Sequence, residues 1–174
     1  MQRRRSQGKE TVGWRECVSL PGLGLGVVRT KVDTGATTSA LHATRIQRFV
    51  RNDEPWVRFT VPRDPIVGRK RTMVEARVAD ERWIRSSNGQ MEKRPLIRAR
   101  IELLGRSWPI DLTLTSRDRM TYDMLLGRRA LGHRFVVDPA QSYVGGFVEP
   151  LDIEDLSPSK TTTTQTERQA PDSI

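Results

Sequence analysis

The sequence predicts an all-β fold. Three observations carry that reading: β-branched and aromatic residues alternate with polar ones, turn residues separate the runs, and no stretch keeps a helical period. Residues 11–20 read as a first strand. Residues 21–26 form a glycine-rich turn, and residues 25–32 return as a strand that delivers the chain to Asp33. The alternation resumes over residues 56–61, 73–85, 95–104 and 107–114. Asn88-Gly89 lies between the second and third of these, and Asn-Gly suits a two-residue hairpin turn because both central positions need positive φ. A projecting hairpin is expected over residues 86–93. Residues 124–126 are a short apolar strand, and residues 128–132 a single helical turn stopped at Gly132. Residues 135–138 and 142–147 are expected to close the domain as strands.

With 174 residues the chain has room for one domain. That domain is placed at residues 11–150. Residues 1–10 and 151–174 lack apolar periodicity and are expected to be disordered. The net charge of +9 implies a surface that attracts anions, whether nucleic acid, acidic peptide or lipid headgroups. Arginines run from Arg3 to Arg168 without gathering into a stripe, and two tyrosines and four phenylalanines are few for a base-stacking surface. Nucleic acid is therefore not the expected partner. The four tryptophans Trp14, Trp56, Trp83 and Trp108 are assigned to core packing or to a dimer contact. Cys17 is the single cysteine, which excludes an intrachain disulfide. No apolar run is long enough to span a bilayer, and no apolar stretch follows the basic start, so a cytoplasmic location without membrane contact is expected.

The chemistry concentrates in Val32-Asp33-Thr34-Gly35-Ala36-Thr37-Thr38. A carboxylate at a strand end is held by rigid backbone. Gly35 permits a close backbone approach, the Thr34 hydroxyl can bond across an interface, and the small Ala36 leaves room for a ligand chain. An ordinary strand-to-turn junction uses the same residue types. Downstream, Met124-Leu125-Leu126-Gly127-Arg128-Arg129 reads by itself as a buried strand followed by a basic helical turn.

Asp33-Thr34-Gly35-Ala36 resembles the active-site motif of retroviral-type aspartic peptidases, and the segment ending in Gly127-Arg128 resembles the apolar-apolar-Gly-Arg-Asn element that closes the same fold. The pattern is more similar still to bacterial retropepsin-like aspartic peptidases, a family that often carries the label ATP-dependent zinc protease. Gly13-Trp14-Arg15-Glu16, residues 31–43, Arg85-Ser86-Ser87-Asn88-Gly89 and residues 114–131 carry that resemblance, which spans residues 12–148. It implies a closed β-barrel with a flap hairpin and one short helix. It also implies peptide cleavage, with Asp33, Thr34 and Gly35 as the catalytic triplet. Ala36, Thr37, Ser87, Asn88, Gly89 and Gln90 would contact substrate, and Gly127 and Arg128 would support the site. In viral relatives that arginine pairs with an acid, whereas the matching position here is Thr37. Some relatives trim glutamate tails that an ATP-grasp ligase adds to a ribosomal protein, and the positive charge agrees with an acidic substrate.

Zinc and ATP find no support in the residues. His42, His133 and Cys17 are far apart, without a His-Glu-x-x-His helix, so no metal and no cofactor is expected. Residues 21–26 lack the spacing of a phosphate-binding loop. Aspartic peptidases need two carboxylates sharing a proton, and this chain has one Asp-Thr-Gly. A C2 homodimer in which two copies of Asp33 meet is therefore expected, with an extended peptide or protein substrate lying under the two hairpins. The rival reading is a catalytically silent β-barrel module that binds peptide or nucleic acid through its basic surface.

Overall fold

A computed structural model of the chain describes residues 8–85, 89–118 and 120–147. They form β1 (Glu10–Gly13), β2 (Arg15–Leu20), β3 (Leu25–Asp33), β4 (Ser39–His42), β5 (Thr44–Arg51) and β6 (Glu54–Val61). There follow β7 (Thr72–Arg85), β8 (Met91–Leu103), β9 (Arg106–Thr115), β10 (Met124–Gly127), the one-turn helix α1 (Arg128–Leu131) and β11 (Phe135–Asp138). Hydrogen bonding runs β2-β3-β10-β4-β9-β8, and β8 returns to β2 through Ser19 opposite Glu102. Those six strands close a barrel. From β8 the sheet continues outward as β7, β6 and β5, an antiparallel wing, while β1 pairs in parallel with β11.

Alternation explains the closure. In β2 the even positions Glu16, Val18 and Leu20 point inward, and in β8 Ile97, Ala99, Ile101 and Leu103 do the same. With Leu25, Leu41, Leu112, Leu114, Met124 and Leu126 they fill the barrel, and Phe59 belongs to the same apolar cluster. Each buried valine, leucine, isoleucine, methionine or phenylalanine among them contributes about 1.5–3 kcal/mol by leaving water. Trp108 packs beside Phe135 with ring centroids 5.5 Å apart and donates its indole N–H to the Ala130 carbonyl at 3.0 Å. It fixes α1 to the barrel. Trp56 lies against Phe49 on the wing and Trp14 against Tyr122, whereas Trp83 is exposed.

Several expectations are corrected. The first strand is two strands broken at Trp14, because β1 leaves to pair with β11. Residues 142–147 form turns. Their Val144 and Gly145 N–H groups both donate to the fully buried Glu16 carboxylate, at 3.1 Å each, and Tyr143 and Gly146 have φ of 53° and 92°. The Gly13 N–H donates to the same carboxylate at 2.7 Å. The strands β4 and β5 went unpredicted. β4 is four buried residues, too short to show a period, and β5 is a sheet edge with only Thr44, Ile46 and Phe49 partly covered.

Two-residue turns with positive φ do occur, at Asn52-Asp53 (50° and 59°) between β5 and β6 and at Leu104-Gly105 (51° and 69°) between β8 and β9. At the expected Asn88-Gly89 turn the strands pair Ile84 with Glu92 and Arg85 with Met91. That register centres on position 88, not between Asn88 and Gly89. Ser87 and Asn88 lie outside the described residues; Gly89 has φ 84°. A bulge between Val78 and Asp80 twists the long hairpin as it leaves the barrel. Among the described residues no helix is long and apolar enough to cross a membrane.

Candidate active site

Asp33 ends β3 at the point where β10 runs parallel to it, with Gly127 in register opposite Asp33. β10 also pairs antiparallel with β4, so the segment from Asp33 to Ser39 leaves one neighbour of β10 and returns as the other. This loop is knit to α1. The Arg128 N–H donates to the Ala36 carbonyl at 2.8 Å and the Arg129 N–H to the Thr37 carbonyl at 3.2 Å. A side-chain N–H of Arg128 donates to the Gly35 carbonyl at 2.9 Å. The departure noted at Thr37 is thereby resolved: Arg128 grips the loop through a backbone carbonyl.

Gly127 must be glycine for space. A Cβ there would sit 2.7 Å from the Thr38 carbonyl carbon and 2.8 Å from its oxygen, closer than carbon atoms approach. The buried Gly127 N–H donates to the Ser39 hydroxyl at 3.1 Å, and Thr113 donates to the Ser39 carbonyl at 3.0 Å. Sequence reasoning missed Ser39, although it stands in the same run of small residues.

Within the loop, Asp33 Oδ1 accepts from the Gly35 N–H at 2.9 Å and the Ala36 N–H at 3.1 Å. Backbone donors thus fix the carboxylate's direction. Thr34 and Gly35 are exposed, and Ala36 and Thr37 are partly buried. Asp33, Ala36 and Thr37 open onto a cavity of about 570 Å³ whose other walls include Trp83, Ile84 and Arg85 of β7, Arg94 of β8, and Arg117. The wall of the hairpin therefore comes from its strands. Gly89 and Gln90 sit at the loop beyond the last strand pair and do not line the cavity.

The cavity is basic. Arg94 is paired with Glu92 at 2.7 Å, and Glu92 also accepts from the Thr115 hydroxyl at 3.1 Å. Burial pushes the Arg117 guanidinium below the ordinary arginine value, the charge of Arg94 adds to that, and Asp123 and Asp33 oppose it. The Arg117 N–H donates to His42 Nδ1 at 2.8 Å, and His42 Nε2 reaches Asp118 at 3.3 Å. His42 is buried and held by protein groups on both ring nitrogens; His133 is exposed near the end of α1. Neither Arg117 nor His42 was legible as part of the site, because nothing local in the sequence marks their meeting.

Proteins named probable alpha-L-glutamate ligase from Shewanella pealeana and Parasynechococcus marenigrum are each 42% identical to this chain, over 90% and 84% of it. The chain spans only 34% and 31% of their lengths. The crystal structure of Lpg0085 from Legionella pneumophila, a protein of unknown function, is 29% identical with a TM-score of 0.65, covering 78% of this chain and 98% of that one. The model of the family described as retropepsin-like aspartic endopeptidase RimB matches residues 11–147, from within β1 to the last described residue. The chain belongs to the RimB-like family of retropepsin-like aspartic endopeptidases.

Proposed function

We propose that this chain is an aspartic peptidase that works as a C2 homodimer and hydrolyses peptide bonds in acidic, glutamate-rich tails. The observation that carries the reading is the Asp33 carboxylate, oriented by two backbone N–H groups at the edge of a cavity of about 570 Å³. Asp33 Oδ1 is engaged by its own loop, and the exposed Thr34 and Gly35 leave that loop open to a second copy. Two carboxylates brought within a few ångströms cannot both ionise, so they share a proton. One then takes a proton from the attacking water while the other donates to the substrate carbonyl. The exposed hairpin strands offer edges to an extended substrate.

Two observations support an acidic substrate. The cavity wall carries Arg85, Arg94 and Arg117. The relatives in which this chain's sequence recurs as about a third of the length are named for glutamate ligation, and a trimming activity acts on the product of such a ligation.

The test is cleavage of a peptide ending in several glutamates by the parent and by Asp33→Asn. The variant is expected to lose at least about a hundredfold in kcat/KM, the span of one acid–base group. Equal cleavage by both overturns the assignment. Sedimentation is expected to show a dimer wherever activity is present, and full activity in a monomer overturns the paired carboxylates.

A further inference from the structure

The charged groups of the cavity are not equivalent. Arg94 has Glu92, Arg128 holds the Gly35 carbonyl, and Arg85 is exposed. Arg117 differs: its Nε and Nη2 are buried and find no hydrogen-bond partner among the described residues. Those two nitrogens form one edge of the guanidinium, the edge that grips a carboxylate side-on through two parallel hydrogen bonds. A buried cation with open donors is costly unless something pairs with it.

The backbone beneath this unpaired head is fixed. The Arg117 N–H is tied to His42 Nδ1, the His42 N–H donates to the Asp123 carbonyl at 2.6 Å, and the Ala43 N–H donates to the Thr115 carbonyl at 3.0 Å. The loop after β9 is thus clamped to the end of β4, which fixes the base of a side chain facing the cavity that Asp33 also lines. The two donors are closed to solvent as well as unpaired among the described residues, so a ligand would meet them by displacing the side chains that cover them.

We infer that Arg117 is the residue that reads a carboxylate of the substrate beside the reacting centre, with His42 as its positioning residue. This rests on the proposed peptidase reading and adds a specificity determinant to it. A backbone carbonyl would satisfy one donor and leave the charge uncompensated; a glutamate or terminal carboxylate satisfies both. Arg94, already neutralised by Glu92, contributes less.

The experiment measures binding, so that cleavage is kept out of it. Fluorescently labelled oligoglutamate and oligoglutamine peptides are titrated by anisotropy against Asp33→Asn, and against the same chain carrying Arg117→Gln, Arg117→Lys or Arg98→Gln. Arg98 lies outside the cavity and is exposed, so it controls for loss of one positive charge. Arg117→Gln is expected to weaken oligoglutamate binding by at least about tenfold, the worth of a charge-assisted hydrogen bond, and to leave oligoglutamine within about twofold. Lysine is expected to restore only part of the loss, because it lacks the fork. The melting temperature of Arg117→Gln should stay level or rise, whereas a structural role would lower it. Equal losses on both peptides, no loss, a loss matched by Arg98→Gln, or no oligoglutamate binding at all overturns the inference. Cleavage by the parent chain judges the peptidase reading separately, since a chain that binds through Arg117 yet cuts nothing refutes only the latter.

Discussion

Arg69 and Arg117 are both arginines drawn below the surface, and the fold treats them in opposite ways. Arg69 gives Nε and Nη2 to the Pro62 carbonyl at 3.3 and 3.1 Å and Nη1 to the Val27 carbonyl at 3.2 Å. Its Nη2 also meets Asp123 at 2.5 Å. Beside it the buried Asp64 pairs with Arg29 at 2.7 Å and caps the Ile66 N–H at 3.1 Å. Every side of that clasp is used. Arg117, in contrast, has its Nε and Nη2 buried without a hydrogen-bond partner among the described residues. Both regions touch Asp123, whose carboxylate receives Arg69 and whose carbonyl receives His42. The saturated cluster holds the excursion between β6 and β7 against the barrel, and the unsaturated one lies at the cavity that Asp33 lines. Burial of charge alone therefore does not separate the two arginines; the bonds each side chain makes do.

The largest effect that separates the two is on stability. Arg69→Met strips Asp123 and two backbone carbonyls of their donor, and removing one partner of a buried pair costs about 3–5 kcal/mol. For a chain of this size that is a fall of roughly 6–20 °C in melting temperature at about 2–4 °C per kcal/mol. Arg117→Gln should show no such fall. Thermal unfolding of the two variants side by side checks this, and equal losses would break the contrast.

What the sequence made visible follows from where the bonds lie. Asp33, Gly35, Gly127 and Arg128 could be read because they stand in two short contiguous motifs, where a loop that bonds to its own carboxylate and a glycine without room for a side chain demand particular residues. The barrel strands with clean alternation, such as β8, were legible for the same local reason. The turn at residues 142–147 was read as a strand because Tyr143, Val144 and Phe147 favour strands, yet its N–H groups go to Glu16 from more than 120 residues away. The clamp of His42 on Arg117 spans 75 positions, and nothing in either residue's neighbours announces it. Chemistry written in one segment was readable; chemistry assembled between segments required the fold.

A smaller effect sharpens the contrast inside the Asp33 frame. Ser39→Ala leaves the Gly127 N–H buried without an acceptor, which costs about 1–3 kcal/mol. Urea unfolding should show an earlier midpoint with an unchanged slope, because the surface exposed on unfolding is the same. Activity should fall as well, since Gly127 lies opposite Asp33 and the loop shares that support. A variant as stable as the parent would mean that the frame does not depend on this bond.

The smallest effect belongs to exposed charge, where neither saturation nor vacancy matters much. Glu75 receives hydrogen bonds from Arg51 and then Arg58 on the outer wing, and these hold its carboxyl below the ordinary glutamate range. A carboxyl depressed in the folded chain binds its proton later than the unfolded chain does as pH falls. Its stabilisation is therefore complete above the ordinary glutamate range and drains away as pH drops through the lower, folded value. Glu75→Gln should lower the melting temperature slightly at neutral pH, by no more than an exposed pair contributes, and leave it unchanged in acid, so that the acid limb of the profile becomes shallower. Salt should mimic the substitution, because at about 1 M the screening length falls to about 3 Å and the wing's ion pairs are weakened, while the enclosed Arg69 clasp is screened far less. If salt erased the Arg69→Met penalty as readily as the Glu75 slope, the clasp would be no more sheltered than the surface, and its contrast with Arg117 would lose its physical basis.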